Sequence, residues 1–87
     1  MEITEVRVFP FQGNSNFKAY ASLTFDDQVV VRGIKIVEGR NGLFVAMPSR
    51  RGKDDYYDIF FPITAEMREK IQEKVIEAYH NREKKAV

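Results

Sequence analysis

The chain has 87 residues, 44% of them hydrophobic, and it contains no cysteine. This length suits one small domain, and the lack of cysteine excludes disulfides and thiolate metal sites. The N-terminus has no basic leader before an apolar stretch, and no apolar run reaches the roughly 20 residues that a membrane span needs. We therefore expect a soluble, cytoplasmic protein without a membrane partner.

The charge is small overall but uneven along the chain. The formal net charge is +1, which divides into −2 for residues 1–31, +5 for residues 32–53 and −2 for residues 54–87. Many nucleic-acid-binding domains are basic throughout, so the overall value argues against nucleic acid, whereas the basic middle segment argues for it. A soluble hairpin that keeps its edges charged against edge-to-edge pairing would give the same distribution.

The N-terminal third of the chain predicts two antiparallel strands. Apolar residues mark the first strand from Ile3 to Phe9, which ends at Pro10 and leads into the polar loop 12–16. From Phe17 to Phe25 the odd positions are apolar and the even positions are mostly polar. This alternation predicts a half-buried second strand with Phe17 on its apolar face.

Two further strands follow, each introduced by a turn. Asp26-Asp27 suits a turn into the third strand, residues 28–37, in which Gly33 indicates a bulge or a close backbone approach. Asn41-Gly42 can supply the positive φ angles of a short hairpin turn into the fourth strand, from Leu43 to Met47.

A fifth strand is predicted from Tyr56 to Phe61, joined to the fourth by an exposed loop. Phe60 and Phe61 are neighbours, so they would lie on opposite faces of this strand. Large aromatic residues on both faces indicate that both sides of the sheet are covered here. One helix can cover one side, so a partner subunit would cover the other.

The C-terminal third predicts one amphipathic helix. Pro62 ends the fifth strand, and Thr64 is a good N-cap. The helix is predicted to run to about Arg82, and residues 83–87 are expected to fray. Its apolar residues recur at helical spacing, and they are Met67, Ile71, Val75, Ala78 and Tyr79, with Ile76 at the margin. The predicted fold is α+β, an antiparallel β-sheet of about five strands followed by this helix, in a single domain over residues 1–82.

A cluster of basic residues after the fourth strand is the main candidate for a binding site. Arg50, Arg51 and Lys53 lie beside Gly52, with no acid among them, on a segment that should be exposed. Arginine can hold a phosphate with two parallel hydrogen bonds, and lysine supplies a flexible point charge. We predict that these residues contact nucleic-acid phosphates, with Ser49 and the Gly52 N–H as neutral donors. The alternative is a segment that is simply solvated.

Residues elsewhere could widen this interface. Secondary candidates for nucleic-acid binding are Arg40 in the hairpin turn and Lys70, Lys74 and Arg82 on the helix. Three glutamates share the polar surface of the helix and would oppose binding, because a charged helix face is usually just solvated. Tyr56 and Tyr57 could stack on unpaired bases, which would favour single strands or RNA. The alternative is that one tyrosine packs into the core and the other covers an edge.

Neither an enzyme nor a cofactor site is indicated. His80 is the single histidine, has no cysteine and no evident serine partner for nucleophilic catalysis, and is expected on the surface. Asp54, Asp55 and Asp58 could in principle hold a hard cation, but their spacing matches no EF-hand loop. A solvated acidic turn is the simpler interpretation. We predict no metal, no cofactor and no small-molecule substrate.

Several blocks of the sequence resemble one protein family. The block NGLFVAMPSRR, residues 41–51, is flanked by VVVRGIKIVEG and DIFFPI, and ASLTFDD precedes them. These blocks are similar to the SpoVG family, the stage V sporulation protein G or septation regulator proteins of bacteria. The helix residues that match the family's motif are Arg68, Ile71, Val75, Ile76 and Tyr79. The chain departs from the family at Phe61, where a polar residue or histidine is usual, and at Thr64, where asparagine is common.

The resemblance implies a small α+β fold that dimerises, and a regulatory protein that binds DNA, and in some members RNA, without catalysing a reaction. It also implies roles in sporulation septation, or in capsule or virulence gene control, that differ between organisms. In a two-fold dimer the basic cluster would occur twice and neutralise about six phosphates, so binding should weaken steeply with salt. A second class of function stays open, a protein-interaction module that regulates septation or sporulation without binding nucleic acid directly.

Overall fold

The computed structural model describes the backbone of residues 1–11, 13 and 15–85, and their side chains as far as residue 81. Four strands form one antiparallel sheet in the order β1-β2-β3-β4, namely β1 (Ile3–Pro10), β2 (Phe17–Phe25), β3 (Val29–Gly39) and β4 (Gly42–Ala46). Two short strands, β5 (Ser49–Arg51) and β6 (Tyr56–Asp58), form a separate sheet, and helix α1 (Ala65–Lys85) follows. The predicted α+β class is confirmed.

The predicted fifth strand is shorter than expected and does not join the main sheet. It ends at Asp58 and pairs with residues 49–51, which form a strand where the sequence analysis predicts a loop. Phe60 and Phe61 therefore lie beyond the strand. The Phe60 ring is half-buried, with its centroid 6.1 Å from that of Phe25, whereas Phe61 is 55% exposed. Among the described residues of a single chain, then, more than half of the Phe61 surface stays uncovered.

One face of the main sheet is covered by α1, and the core lies between them. The buried apolar residues are Val8, Ala19, Ala21, Leu23, Phe25, Ile34 and Ile36 from the sheet, with Ile71 and Val75 from the helix. The predicted apolar stripe of the helix is confirmed, because its other members are partly buried and pack against this cluster. Each of the larger side chains contributes about 1.5–3 kcal/mol when removed from water.

The start of α1 is capped as the sequence predicts. The N–H of Met67 donates to Thr64 Oγ1 at 3.1 Å, and the N–H of Arg68 donates to the Thr64 carbonyl at 3.1 Å. The hydroxyl therefore satisfies one of the helix-start N–H groups that have no partner within the helix. The helix ends at Lys85, three residues beyond the predicted end. The last two residues of the predicted frayed tail lie outside the described part of the chain.

The two hairpin turns of the main sheet differ from each other. Asp26 and Asp27 both have positive φ angles, 52° and 55°, and the N–H of Gln28 donates to the Phe25 carbonyl at 2.9 Å. The two central residues of the turn from Phe25 to Gln28 thus have the positive φ angles of a primed turn, and three residues in all connect Phe25 to its partner Val29. At the second turn Gly42 has a φ of 112°, but Asn41 is not among the described residues with positive φ. The prediction of positive φ at Asn41 is therefore wrong.

Two bulges change which side chains of the central strands lie on each face of the sheet. Leu23 pairs with Val31 while Ala21 pairs with Ile34, so β3 has one extra residue at Gly33, whose φ is 86°. The predicted bulge at Gly33 is confirmed.

A second bulge in β2 moves Phe17 to the face opposite α1. The register shifts between Phe17 and Ala19, so Lys18 is the extra residue. The Phe17 ring then meets Tyr20 edge to face, with centroids 4.6 Å apart. The prediction that Phe17 shares the apolar face of Ala19 is wrong, because a one-residue bulge reverses the alternation of a strand.

The outer edge of β4 is covered by one side chain of α1. The Gln72 amide accepts a hydrogen bond from the Val45 N–H at 3.2 Å and donates one to the Leu43 carbonyl at 3.4 Å. Gln72 thus binds the edge as a neighbouring strand would. None of the described helical residues forms a segment long and apolar enough to cross a membrane.

Candidate nucleic-acid interface

The predicted phosphate-binding residues lie on a two-stranded hairpin, residues 49–58, which we call the basic hairpin. Ser49 pairs with Asp58, Arg50 with Tyr57, and Arg51 with Tyr56. The Ile59 N–H donates to the Pro48 carbonyl at 2.9 Å and extends the ladder at its base. Every residue of the hairpin except Gly52 is exposed, whereas Pro48 at its base is buried. The hairpin therefore projects from the core on a fixed base.

The strand conformation separates the two arginines. In a strand, successive side chains lie on opposite faces, and directly paired residues share a face. Arg50 therefore shares one face of the hairpin with Tyr57, and Arg51 shares the other with Tyr56. A loop could direct both guanidinium groups to one phosphate. The hairpin instead directs them to two sides.

The tip of the hairpin changes the role expected of Gly52. Its N–H donates to the Asp55 carbonyl at 2.6 Å, which closes a two-residue loop formed by Lys53 and Asp54. The Asp55 carboxylate in turn accepts from the Tyr56 N–H at 2.8 Å. The Gly52 N–H is therefore occupied and is not a donor for a ligand, contrary to the prediction. Lys53 lies at the tip, where its side chain is exposed.

Both tyrosines of the hairpin are at the surface. Tyr56 is 66% exposed and Tyr57 is 54% exposed. The Tyr57 ring lies against Gly52, since a Cβ placed on that glycine would be 3.3 Å from the ring atom Cε1. The alternative that one of them packs into the core is therefore wrong. Their stacking on unpaired bases stays a prediction.

Folding brings acidic residues beside the basic ones. The hairpin holds three bases and three aspartates, so it is neutral as a whole although its first strand is basic. No ion pair joins Arg50, Arg51 or Lys53 to a carboxylate of the described residues. The guanidinium groups are thus free to bind an anion. Because the aspartates lie at the tip and on β6, an anion would approach from the β5 side.

Of the secondary candidates, Arg40 is separated from the basic hairpin, and Lys70 and Lys74 are exposed on α1. Arg40 is exposed at the turn that begins β4, and the hairpin follows the other end of that strand. Five residues of strand separate these ends, which is about 16 Å. Lys70 and Lys74 are exposed one turn apart on α1. The Arg82 side chain lies outside the described residues.

The residues considered for catalysis and metal binding are at the surface. His80 is exposed near the end of α1, with its ring centroid 6.0 Å from that of Tyr79. Asp54, Asp55 and Asp58 are exposed, and the described residues contain no group of three or more histidine or acidic side chains arranged to hold a metal ion.

Two features were missed by the sequence analysis. The contacts of Gln72 with the edge of β4 leave no simple sequence signal, because a glutamine on a polar helix face is ordinary. Among the aromatic residues opposite α1, Tyr20 does have one, since it interrupts the otherwise polar even positions of β2, whereas Phe44 lies in a strand without polar side chains.

The fold and the hairpin together define a class of small α+β proteins, in which a helix covers one face of a four-stranded sheet and a short hairpin projects beyond it. The SpoVG family model matches residues 1–81. The chain therefore belongs to the SpoVG family, as the resemblance implies.

Relatives in other organisms match almost the whole chain. A protein of Archaeoglobus fulgidus is 52% identical over 83 residues, which cover 94% of this chain and 98% of the relative. One from Desulforudis audaxviator is 51% identical, covering 95% and 96%, and one from Clostridioides difficile is 48% identical, covering 92% and 88%. All three carry the name "Putative septation protein SpoVG". The chain is thus a member of a family named for septation and sporulation.

Proposed function

We propose that this protein is a non-enzymatic regulator, acting in septation or sporulation, that binds DNA, and also RNA, through the basic hairpin. The observation that carries the proposal is that Arg50, Arg51 and Lys53 are exposed on a projecting hairpin without an ion pair among the described residues. Arginine on such a support forms bidentate hydrogen bonds with phosphate oxygens. Family membership supports a regulatory role.

The shape of the hairpin favours contact with two backbones at once. The major groove of B-DNA is about 12 Å wide and admits a two-stranded β-ribbon. Arg50 and Arg51 lie on opposite faces, so a ribbon between two phosphate backbones can reach one with each arginine. Ser49 is two residues before Arg51 on the same face and adds a neutral hydroxyl donor there. These contacts position the protein and carry no sequence information by themselves.

The double variant Arg50→Ala/Arg51→Ala tests the proposal. Binding to a labelled duplex and to a labelled single-stranded RNA is measured by fluorescence anisotropy at several salt concentrations. For the wild type, log affinity should fall linearly with log salt, with a slope of about −0.9 per neutralised phosphate. The variant should bind more weakly at every sequence tested, and its slope should be smaller by about two for each hairpin engaged.

The matched comparison removes the same charge from the helix. Lys70→Ala/Lys74→Ala changes two exposed lysines, and it should lower affinity less than the arginine pair does. Equal losses in the two variants would show that the hairpin has no special role. Unchanged affinity in the arginine variant, with its fold retained by circular dichroism, would disprove the assignment.

A second candidate function is protein interaction, and one surface favours it. Along residues 59–63 the side chains alternate, so that Phe60 and Pro62 face inward while Ile59, Phe61 and Ile63 are exposed. No charge interrupts this outward row, which we call the apolar segment. We infer that a second copy of the chain covers it in a homodimer, since exposed charge-free rows of large apolar residues mark protein contacts.

A further inference from the structure

The face of the main sheet opposite α1, which we call the open face, carries a continuous set of aromatic side chains. One row crosses all four strands in register and consists of Phe9, Tyr20, Lys35 and Ala46. The next row consists of Phe17, Val37 and Phe44. Phe11, just beyond β1, stacks on Phe17 with centroids 4.9 Å apart. Neighbouring strands are about 4.8 Å apart, so the rows span roughly 14 Å.

The rings of the open face are supported from one side and accessible from the other. Phe9, Phe11, Tyr20 and Phe44 are each between 44% and 53% exposed. Phe17 is half-buried between Phe11 and Tyr20 and supports both rings. Phe44 lies over Gly39, where a Cβ would be 2.9 Å from the ring atom Cε1. The rings are therefore held in place before any ligand arrives.

The charges of the open face favour an anionic ligand. Lys35 lies between Tyr20 and Ala46 in the central row, is exposed, and forms no ion pair within the described part of the chain. Arg7 shares the face of Phe9 on β1 but is already paired, because its Nε lies 3.1 Å from the Glu5 carboxylate. An unpaired cation among exposed aromatic rings matches a nucleotide, which presents a flat base and a phosphate.

These features distinguish the open face from the apolar segment. The centres of protein interfaces are depleted in lysine, and a two-fold contact between two open faces would bring like charges together. The apolar segment has no such charge and suits a second copy better.

We propose that the open face is a second nucleic-acid site, which binds two or three unpaired bases of a single strand by stacking on Phe9, Tyr20 and Phe44. Lys35 contacts the strand's backbone. Aromatic side chains on four-stranded sheets bind single-stranded RNA in this way. The inference rests on the proposed function, and it gives the basic hairpin and the open face different roles in nucleic-acid binding. The basic hairpin contacts phosphates of any strand, and the open face selects strands whose bases are unpaired.

The test compares the double variant Phe9→Leu/Phe44→Leu with the wild type. Leucine keeps the apolar contacts but removes the flat ring face on which a base stacks. Affinity is measured by fluorescence anisotropy for an oligouridylate of about ten nucleotides, within the usual site sizes, and for a mixed-sequence duplex. We expect the variant to bind the oligouridylate about tenfold or more weakly, with duplex affinity unchanged. His80→Leu removes an exposed ring from α1, away from both the open face and the apolar segment, so it is the matched control and should change neither affinity.

The outcomes separate the two sites. If Phe9→Leu/Phe44→Leu binds oligouridylate as tightly as the wild type does, the open face is not a site. If the variant becomes monomeric by light scattering, the open face belongs to a second copy and the inference is wrong. If Arg50→Ala/Arg51→Ala keeps its affinity while Phe9→Leu/Phe44→Leu loses oligouridylate, the hairpin assignment fails and the open face stands. If the wild type binds neither the oligouridylate nor the duplex, both the hairpin assignment and the open-face assignment are wrong.

A second measurement needs no variant and so does not depend on how well the variant folds. Ultraviolet cross-linking joins wild-type protein to the oligouridylate, and mass spectrometry maps the joined peptides. Cross-links at Tyr20 or Phe44 support the open face. Cross-links confined to the basic hairpin contradict it.

Discussion

At the scale of single residues, Gln72 has a specific structural role that could not be predicted from the sequence. Its amide binds both the Val45 N–H and the Leu43 carbonyl on the outer edge of β4. An uncovered edge exposes backbone groups that can pair with another chain. Gln72 therefore joins α1 to the sheet and also blocks part of this edge.

Replacing Gln72 with alanine should lower the free energy of unfolding by about 1–2 kcal/mol, because two partly buried backbone groups lose their partners. Alanine has the higher helix propensity, so the loss cannot come from the helix itself. Urea denaturation followed by circular dichroism measures the effect. Glu73→Ala, at the exposed neighbouring position, is the control and should shift stability by less than about 0.5 kcal/mol. An unchanged unfolding midpoint for Gln72→Ala would show that the two hydrogen bonds contribute nothing.

At the scale of elements, the sequence correctly predicts the features of a helix that depend on residue periodicity and on capping residues. The apolar stripe of α1 and the cap at Thr64 are confirmed because both depend on spacings within a few residues. The face of Phe17 could not be predicted in this way. A bulge depends on the neighbouring strand, and one extra residue at Lys18 moves the ring to the open face.

The basic hairpin shows a similar limit. The sequence predicts that Arg50 and Arg51 are exposed together, and the structure agrees. Their pairing with Tyr57 and Tyr56 depends on the second strand of the hairpin, which lies several residues away. The charge along the chain likewise does not reveal that β6 and the tip bring three aspartates beside the bases.

The cap of α1 gives a prediction at this scale. Thr64→Ala removes the acceptor of the Met67 N–H and should destabilise the protein by about 1 kcal/mol. Asparagine is an equal or better cap than threonine, so the stability of Thr64→Asn should match or slightly exceed that of the wild type. Thermal or urea unfolding of the three proteins measures the difference. If alanine and asparagine were equivalent at this position, the hydroxyl contact would have no energetic role.

At the scale of the whole molecule, the chain presents three surfaces with different chemistry. The basic hairpin has exposed cations, the open face has aromatic rings around one lysine, and the apolar segment has neither charge nor polar side chains. The salt dependence of binding therefore distinguishes contacts of the basic hairpin from those of the apolar segment. Phosphate contacts weaken as salt rises, whereas burial of apolar area does not.

A substitution in the apolar segment tests whether this surface forms the homodimer contact. Ile63 is 89% exposed in the single chain, so Ile63→Asp should leave the fold of each chain intact. In the homodimer the same change places an unpaired charge in an apolar contact and should shift the equilibrium to monomer. Sedimentation equilibrium at micromolar concentration measures the shift, and a dimeric wild type should persist at high salt.

The control for this experiment is Phe9→Asp, which places the same charge on the open face. It should stay dimeric, because the open face is assigned to single-stranded nucleic acid. A monomeric Phe9→Asp together with a dimeric Ile63→Asp would reverse the roles of the two surfaces. A wild type that is monomeric at these concentrations would remove the dimer, and each molecule would then bring one basic hairpin, and about three phosphate contacts, to its nucleic acid.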